Sequence, residues 1–258
     1  GQLSVLEIAD LSLGYGGDPV LEGVSFALSE GEFASLIGPS GSGKTSVLRA
    51  ITGLSQPLAG TVSLGVRPGE VGFLFQDDAL LPWRTARDNV ALGLRIRGSA
   101  ASAARREAEH WLTRLGLAGL GGRYPRELSG GQRKRVAIAQ VLALRPRVLL
   151  MDEPFASLDA IMRARITQEL LDWVEQERMT VLLVTHDLEE ALSVSDRVYL
   201  LSQGPRAAIR ARYDVPLKRP RELLRARLDP LFGPLLDRVW RDLEREVAPR
   251  SEPAEVLA

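Results

Sequence analysis

The segment GPSGSGKT, residues 38–45, limits what this chain can fold into more than any other stretch. It fits G-x-x-x-x-G-K-[ST], follows the apolar run FASLI directly, and leads into the helical pattern TSVLRAITGL. A strand, a tight glycine-rich loop and a helix in that order make an anion cradle. Gly38, Gly41 and Gly43 let the backbone curl until its N–H groups converge on phosphate oxygens, where side chains would block the approach. Pro39, Ser40, Ser42 and Ser46 complete the cradle, and the helix turns its positive dipole end toward the same oxygens. Lys44 supplies a mobile point charge for β- and γ-phosphates, and the Thr45 hydroxyl suits a magnesium ion. The chain has only three lysines, and one falls on this spot.

RVLLMDEP, residues 147–154, is the matching acidic strand. Four apolar residues bury it, and Asp152 emerges at its C-terminal edge, where open α/β sheets bind ligands. Asp152 is a candidate magnesium ligand, directly or through water. Glu153 beside it exceeds what metal binding needs and is the candidate general base for an attacking water. The rest of the chain agrees with α/β organisation, because short strand-like runs alternate with helical patterns. LSVLEIADLSLGY, VSFALSEGEFASLIG, GTVSLG and EVGFLFQ read as strands, and TVLLVTHD as another buried one. A helix-rich stretch spans about 85–127, and GQRKRVAIAQVLALRP is a helix stopped by Pro146. ARITQELLDWVEQER and LEEALSV are further helices, and RVYLLSQG with AAIRARYDV suggests a closing hairpin. From Arg221 onward the chain reads as helical, with Leu224, Leu228, Leu231, Leu235, Val239 and Leu243 on one face. The closing SEPAEVLA is expected to fray.

Composition removes other classes. With no cysteine and only His110 and His186, disulfides, thiol nucleophiles, cysteine-ligated zinc and histidine-rich metal sites are excluded. His110 falls inside an amphipathic helix and reads as a surface residue. Thirty-three basic residues balance 33 acidic ones, which argues against a nucleic-acid partner held by an overall positive field. No apolar run approaches the roughly 20 residues of a membrane helix, and GQLSVLEIAD does not read as a signal peptide.

LSGGQ, residues 128–132, opens the helix QRKRVAIAQVLA with two glycines and a serine, for which the sequence offers no ordinary packing reason. A helix N-terminus of that kind is a second anion site. With this motif in place the chain resembles the nucleotide-binding subunits of ATP-binding-cassette transporters over roughly residues 3–215. The resemblance implies a P-loop NTPase core, a small antiparallel β subdomain and an inserted α-helical subdomain. The cassette would span 1–220, with the helical insert at about 77–135 and a helical tail over 221–258. Tyr15 matches the aromatic that stacks on adenine, and Gln76 the glutamine that reaches Mg²⁺ and the attacking water. Ser129, Gly130, Gly131 and Gln132 match the motif that closes on a partner's ATP, Asp159 the loop crossing the dimer interface, and His186 the γ-phosphate histidine. Taken alone, Tyr15 is a turn aromatic, Gln76 a strand end and Ser157–Asp159 a helix cap.

The family mechanism implies ATP and Mg²⁺ as cofactors and an ATP-dependent homodimer that drives a membrane permease from the cytoplasmic face. LLPWRT-x-x-x-NV-x-x-GL, residues 80–94, resembles importers of nitrate, taurine and alkanesulfonates, which implies a periplasmic or surface solute-binding protein as a further partner. DVPLKRPRE, residues 214–222, resembles the end of the C-terminal hairpin in the same group. Leu80, Leu81, Trp83 and Arg84 would line the permease contact, unless Trp83 plugs the insert onto the core. An exporter or lipid-transport cassette is the alternative, and a soluble cassette acting on ribosomes or DNA a more distant one. Lys134 and Gln140 stand where Gln and Arg are usual, and Ser157 where Ala is commoner. None of the three is expected to touch the ATP chemistry.

Overall fold

β3, Phe33–Ile37, is buried at every residue and sits inside a six-stranded sheet of order β5-β6-β7-β3-β8-β9. A strand buried on both faces reads as an unbroken apolar run, which is why FASLI shows no alternation. The other members are β5 (Val71–Leu74), β6 (Val148–Asp152), β7 (Thr180–Val184), β8 (Arg197–Leu201) and β9 (Ile209–Asp214). All pair in parallel except β9, which closes antiparallel on β8. A second, three-stranded antiparallel sheet orders as β2-β1-β4, from β1 (Ser4–Tyr15), β2 (Asp18–Ser29) and β4 (Ala59–Leu64). The computed structural model describes residues 4–16 and 18–247, so the expectation for SEPAEVLA lies outside the described residues.

The parallel order matters for function. β5, β6, β7 and β3 lie side by side and point the same way, so the residues that follow their C-terminal ends gather on one edge. Helix α1 (Lys44–Ile51) follows β3 and presents Val47, Leu48 and Ile51 to the apolar layer between the two sheets. Helices α2 (Ala86–Ile96) and α3 (Ala101–Arg114) form the inserted lobe, and α4 (Gly130–Leu142) leads the chain from that lobe back to β6. The lobe is fastened to α5 (Ala160–Gln176) by aromatic packing. Trp111 and Trp173 meet edge to face at 5.6 Å, and the Arg114 guanidinium lies 4.6 and 4.0 Å from their centroids. Each cation–π contact is worth about 0.5–1 kcal/mol at such a half-exposed place.

The tail departs from the single-faced helix that the sequence suggests. It forms two helices, α7 (Leu223–Leu228) and α8 (Phe232–Val247), separated at Asp229–Pro230. Proline cannot continue a helix and pushes the residue before it out of the helical region, so the leucine register restarts. Leu224, Leu228 and Leu231 are exposed, contrary to expectation, while Phe232 and Val239 are buried against α6 (Leu188–Val194) and the end of the sheet. His110 is exposed, as expected.

Candidate active site

The glycine loop owes its shape to backbone conformations that side chains resist. Gly41 and Gly43 have φ of +77° and +85°, in the left-handed region that favours glycine. Gly43 is doubly constrained, because a Cβ there would fall 2.8 Å from Leu21. Lys44 is the first residue of α1, and its ammonium folds back over the loop. Nζ donates to the carbonyls of Gly38 at 2.8 Å and Pro39 at 3.0 Å, with Ser42 Oγ at 3.4 Å. Burial pushes the Lys44 pKa down, against the raising pull of the Glu153 and Asp152 charges.

Thr45 and Asp152 meet across the sheet edge, where the Thr45 hydroxyl donates to Asp152 Oδ2 at 3.1 Å and Oδ1 lies at 3.3 Å. Burial pushes the Asp152 carboxyl up, the Thr45 hydrogen bond lowers it, and the neighbouring Glu153 charge raises it again. A desolvated carboxylate beside a hydroxyl is a hard, oxygen-only donor pair. That suits Mg²⁺, which takes one or two protein oxygens and leaves its other positions to phosphate and water. The residues fit the ion.

Glu153 adopts φ of +42°, a conformation that costs a non-glycine residue about 1–2 kcal/mol. It is held there because its N–H donates to the Val184 carbonyl at 2.9 Å, lashing it to the end of β7. His186 follows that same strand, and its Nδ1 lies 2.9 Å from Glu153 Oε1. An ionised carboxylate only accepts, so the proton of that contact sits on His186 Nδ1 while Glu153 is charged. The histidine ring is 67% exposed, although it closes a fully buried strand.

The remaining sequence candidates are joined to this cluster by no hydrogen bond among the described residues. Gln76 follows β5 with an exposed side chain, and Tyr15 ends β1, 52% exposed, with its hydroxyl 3.4 Å from Ser55 Oγ. Ser129 caps α4. Its Oγ accepts from Gln132 N at 3.2 Å while Gln132 Oε1 accepts from Ser129 N at 2.9 Å. This reciprocal cap explains Ser129 and Gln132 locally. Gly131 has a packing reason too, since a Cβ would fall 3.0 Å from Met162 Sδ. Ser129, Gln132 and Gly131 thus have a local structural account, contrary to the expectation for this motif, whereas a Cβ on Gly130 would meet only the Arg133 guanidinium at 3.8 Å. Asp159 caps α5, accepting from Ile161 N and Met162 N at 3.1 and 3.0 Å. Lys134 lies closer to the candidate residues than its sequence position suggests, its ammonium donating to the backbone carbonyl of Gln76 at 2.9 Å. Asn89 carries a structural role that no local sequence pattern signals. Fully buried, it accepts from Leu81 N at 2.7 Å and donates to the carbonyls of Leu81, Arg84 and Thr85, fixing a turn that holds Trp83 outward, 71% exposed.

The ABC transporter family model matches residues 21–156, just over half of the chain and inclusive of the glycine loop, the LSGGQ helix and the Asp152–Glu153 pair. The chain belongs to the ABC transporter family. The cassette is 42% identical over 252 residues to the aliphatic sulfonates import ATP-binding protein of Pseudomonas aeruginosa strain UCBPP-PA14, covering 92% of this chain and 97% of the relative. It is 41% identical over 222 residues to the nitrate import ATP-binding protein of Synechococcus elongatus, covering 83% and 81%. A dimeric post-hydrolysis state of an ATP-binding cassette bound to ADP and phosphate superposes with a TM-score of 0.71. That structure is 31% identical and is covered in full by 83% of this chain. The cassette is thus an ATPase of the transporter type, and it binds ATP.

A cavity of about 1240 Å³ lies between α5, α6 and the tail helices and touches the cluster only at His186. The glycine loop is instead open surface, with Ser40, Gly41 and Thr45 exposed. An open anion cradle needs a second surface to exclude water.

Proposed function

We propose that the cassette powers a membrane importer for a small oxidised or zwitterionic solute of the nitrate, sulfonate or taurine kind. It works as an ATP-bound pair on the cytoplasmic side, with permease subunits and an external solute-binding protein. The observation that carries the catalytic part is the order of the sheet edge. Gln76, the Asp152–Glu153 pair, His186 and the Gly38–Thr45 loop follow four adjacent parallel strands, with Thr45 bonded to Asp152 and Glu153 to His186.

Lys44 leaves its loop carbonyls to neutralise the β- and γ-phosphates, while the loop N–H groups and the α1 dipole hold the same oxygens. Tyr15 stacks on the base. Thr45, Asp152 and Gln76 would hold Mg²⁺, which when bound would supply charge neutralisation at the phosphates. Glu153 takes a proton from the attacking water as its oxygen bonds the γ-phosphorus, and the bond to the bridging oxygen breaks to release ADP and phosphate. His186 fixes one Glu153 oxygen and leaves the other for that water. Ser129, Gly130, Gly131 and Gln132 of a second copy cover the open face, with Asp159 at the crossing, so ATP joins the two copies. The import direction is supported by the names of the relatives and by the LLPWRT segment, whose Trp83 stands outward on the turn that Asn89 fixes. Trp83 and its neighbours Leu80, Leu81 and Arg84 receive the permease.

The test is reconstitution with the co-purifying membrane subunits in vesicles. The expected result is ATP-dependent accumulation of nitrate or a short sulfonate, stimulated by the solute-binding protein. Solute efflux under the same conditions would overturn the import reading, and failure of the purified chain to bind or hydrolyse Mg-ATP would overturn the catalytic one.

A further inference from the structure

Lys134 lies on the second turn of α4, and its side chain is only 1% exposed. An ammonium carries three hydrogens and no acceptor, so burying it demands three partners. They are present. Nζ donates to the carbonyls of Gln76 at 2.9 Å and Phe75 at 3.3 Å, and it pairs with Asp78 Oδ1 at 2.9 Å. β5 ends at Leu74, so both carbonyls have already left the sheet ladder. The next cation along the same helix adds to the grip, with Arg133 Nε 3.5 Å from Asp78 Oδ2. A glutamine here would carry two amide hydrogens on a shorter stem and could not saturate the same three acceptors.

We propose that Lys134 is a positioning residue that fastens the Gln76 loop to the helix headed by Ser129, so that the two move as one body. The inference rests on the reading of Gln76 as the residue that reaches the attacking water and the metal. Its content is a link between two ATP sites. Gln76 serves the nucleotide in its own subunit, whereas Ser129 serves the nucleotide held by the partner. An ammonium saturated by three acceptors out of water has no intermediate resting place, so a shift of α4 carries the Gln76 backbone with it. The closing of one site is thereby felt at the other.

The experiment is a double-mutant cycle on the full chain with Lys134→Met, Gln76→Ala and the double variant. Steady-state ATPase is measured at saturating subunit concentration, with thermal melting alongside. Lys134→Met is expected to lower kcat by about 10- to 100-fold, as for a misplaced reacting group, with KM for ATP little changed. In the Gln76→Ala background the same change should cost nothing further, because the residue it positions is gone. An equal loss in both backgrounds, or wild-type kcat in Lys134→Met, overturns the proposal. If Gln76→Ala itself turns over normally, the reading of Gln76 fails and the clamp falls with it. If Gln76→Ala is impaired and Lys134→Met is not, only the clamp fails. Should Lys134→Met not fold, Asp78→Asn, at the solvent side of the grip, takes its place in the cycle. A smaller kcat loss that vanishes in the Gln76→Ala background supports the clamp, and any other result rejects it.

Discussion

Glu153→Gln separates chemistry from structure at the proposed base. The amide has the same number of heavy atoms, keeps the main-chain bond to Val184, and still offers an oxygen to His186 Nδ1 at the 2.9 Å position. What disappears is the capacity to take a proton. Loss of a general base costs about 10²–10⁴ in rate, which is about 3–5 kcal/mol of barrier at 1.36 kcal/mol per decade. The structural cost is far smaller. The Glu153–His186 contact is open to solvent on the histidine side, and exposed pairs of this kind contribute at most about 1 kcal/mol. In a chain of this length that moves the melting midpoint by only about 2–4 °C. Phosphate release is followed by a coupled fluorescent assay, ATP affinity by titration calorimetry, and assembly by size-exclusion chromatography in Mg-ATP. The expected outcome is a folded variant that binds ATP, scarcely hydrolyses it, and accumulates as the ATP-joined pair. Phosphate release at the wild-type rate would refute the assignment, because no other carboxylate bonds His186 among the described residues.

Lys44→Ala should abolish hydrolysis and severely weaken ATP binding, and calorimetry with unchanged affinity alongside unchanged turnover would contradict the loop assignment. Trp83→Ala should leave the isolated subunit folded, within about 0.5 kcal/mol for so exposed a side chain, and its basal ATPase intact while uptake in the assembled importer collapses. A loss of several kcal/mol, as for a tryptophan truncated in a core, would mean that Trp83 is a plug. Asp152→Asn should remove turnover and raise stability in the absence of nucleotide. Burial holds the Asp152 pKa above its unfolded value, so the native state binds more protons across that window and the wild type loses stability as pH rises through it. The stability advantage of Asp152→Asn should therefore grow from acid toward neutral pH, and an advantage independent of pH would refute the desolvation account.

The readable parts of this chain are those where one short segment meets a demand of its own backbone. Gly41 and Gly43 need positive φ, and the glycines that supply it lie next to the lysine and threonine that use the cradle. The acidic strand is legible for the same reason, since a buried apolar run must end where its first carboxylate reaches the sheet edge. The tail shows the opposite failure. A leucine period running from Leu224 to Leu243 crosses Pro230, a helix breaker that resets the phase between α7 and α8. The Ser129–Gln132 cap is likewise written in the spacing S-x-x-Q, but two adjacent glycines in the same segment point equally to anion binding.

Lys134 is a different case, because its meaning lies in residues 58 and 59 positions earlier, which no local pattern joins to it. In one dimension it is a lysine in place of glutamine inside a charged helix start, where arginine flanks it on both sides and a solvated surface is the natural assumption. The fold reverses that. α4 packs against β5, so the second helical turn meets the point where the strand gives up its ladder bonds, and two carbonyls there require donors. Arg133 shares Asp78 with Lys134 and Arg135 turns to Glu169 and the Leu115 carbonyl, so among the three only Lys134 reaches the freed carbonyls of Phe75 and Gln76. A residue that is silent along the sequence thus falls where the end of β5 meets the helix headed by Ser129, the joint on which the proposed clamp rests. The charges that look most expendable in a cassette sequence are those whose partners must be sought across the inserted lobe.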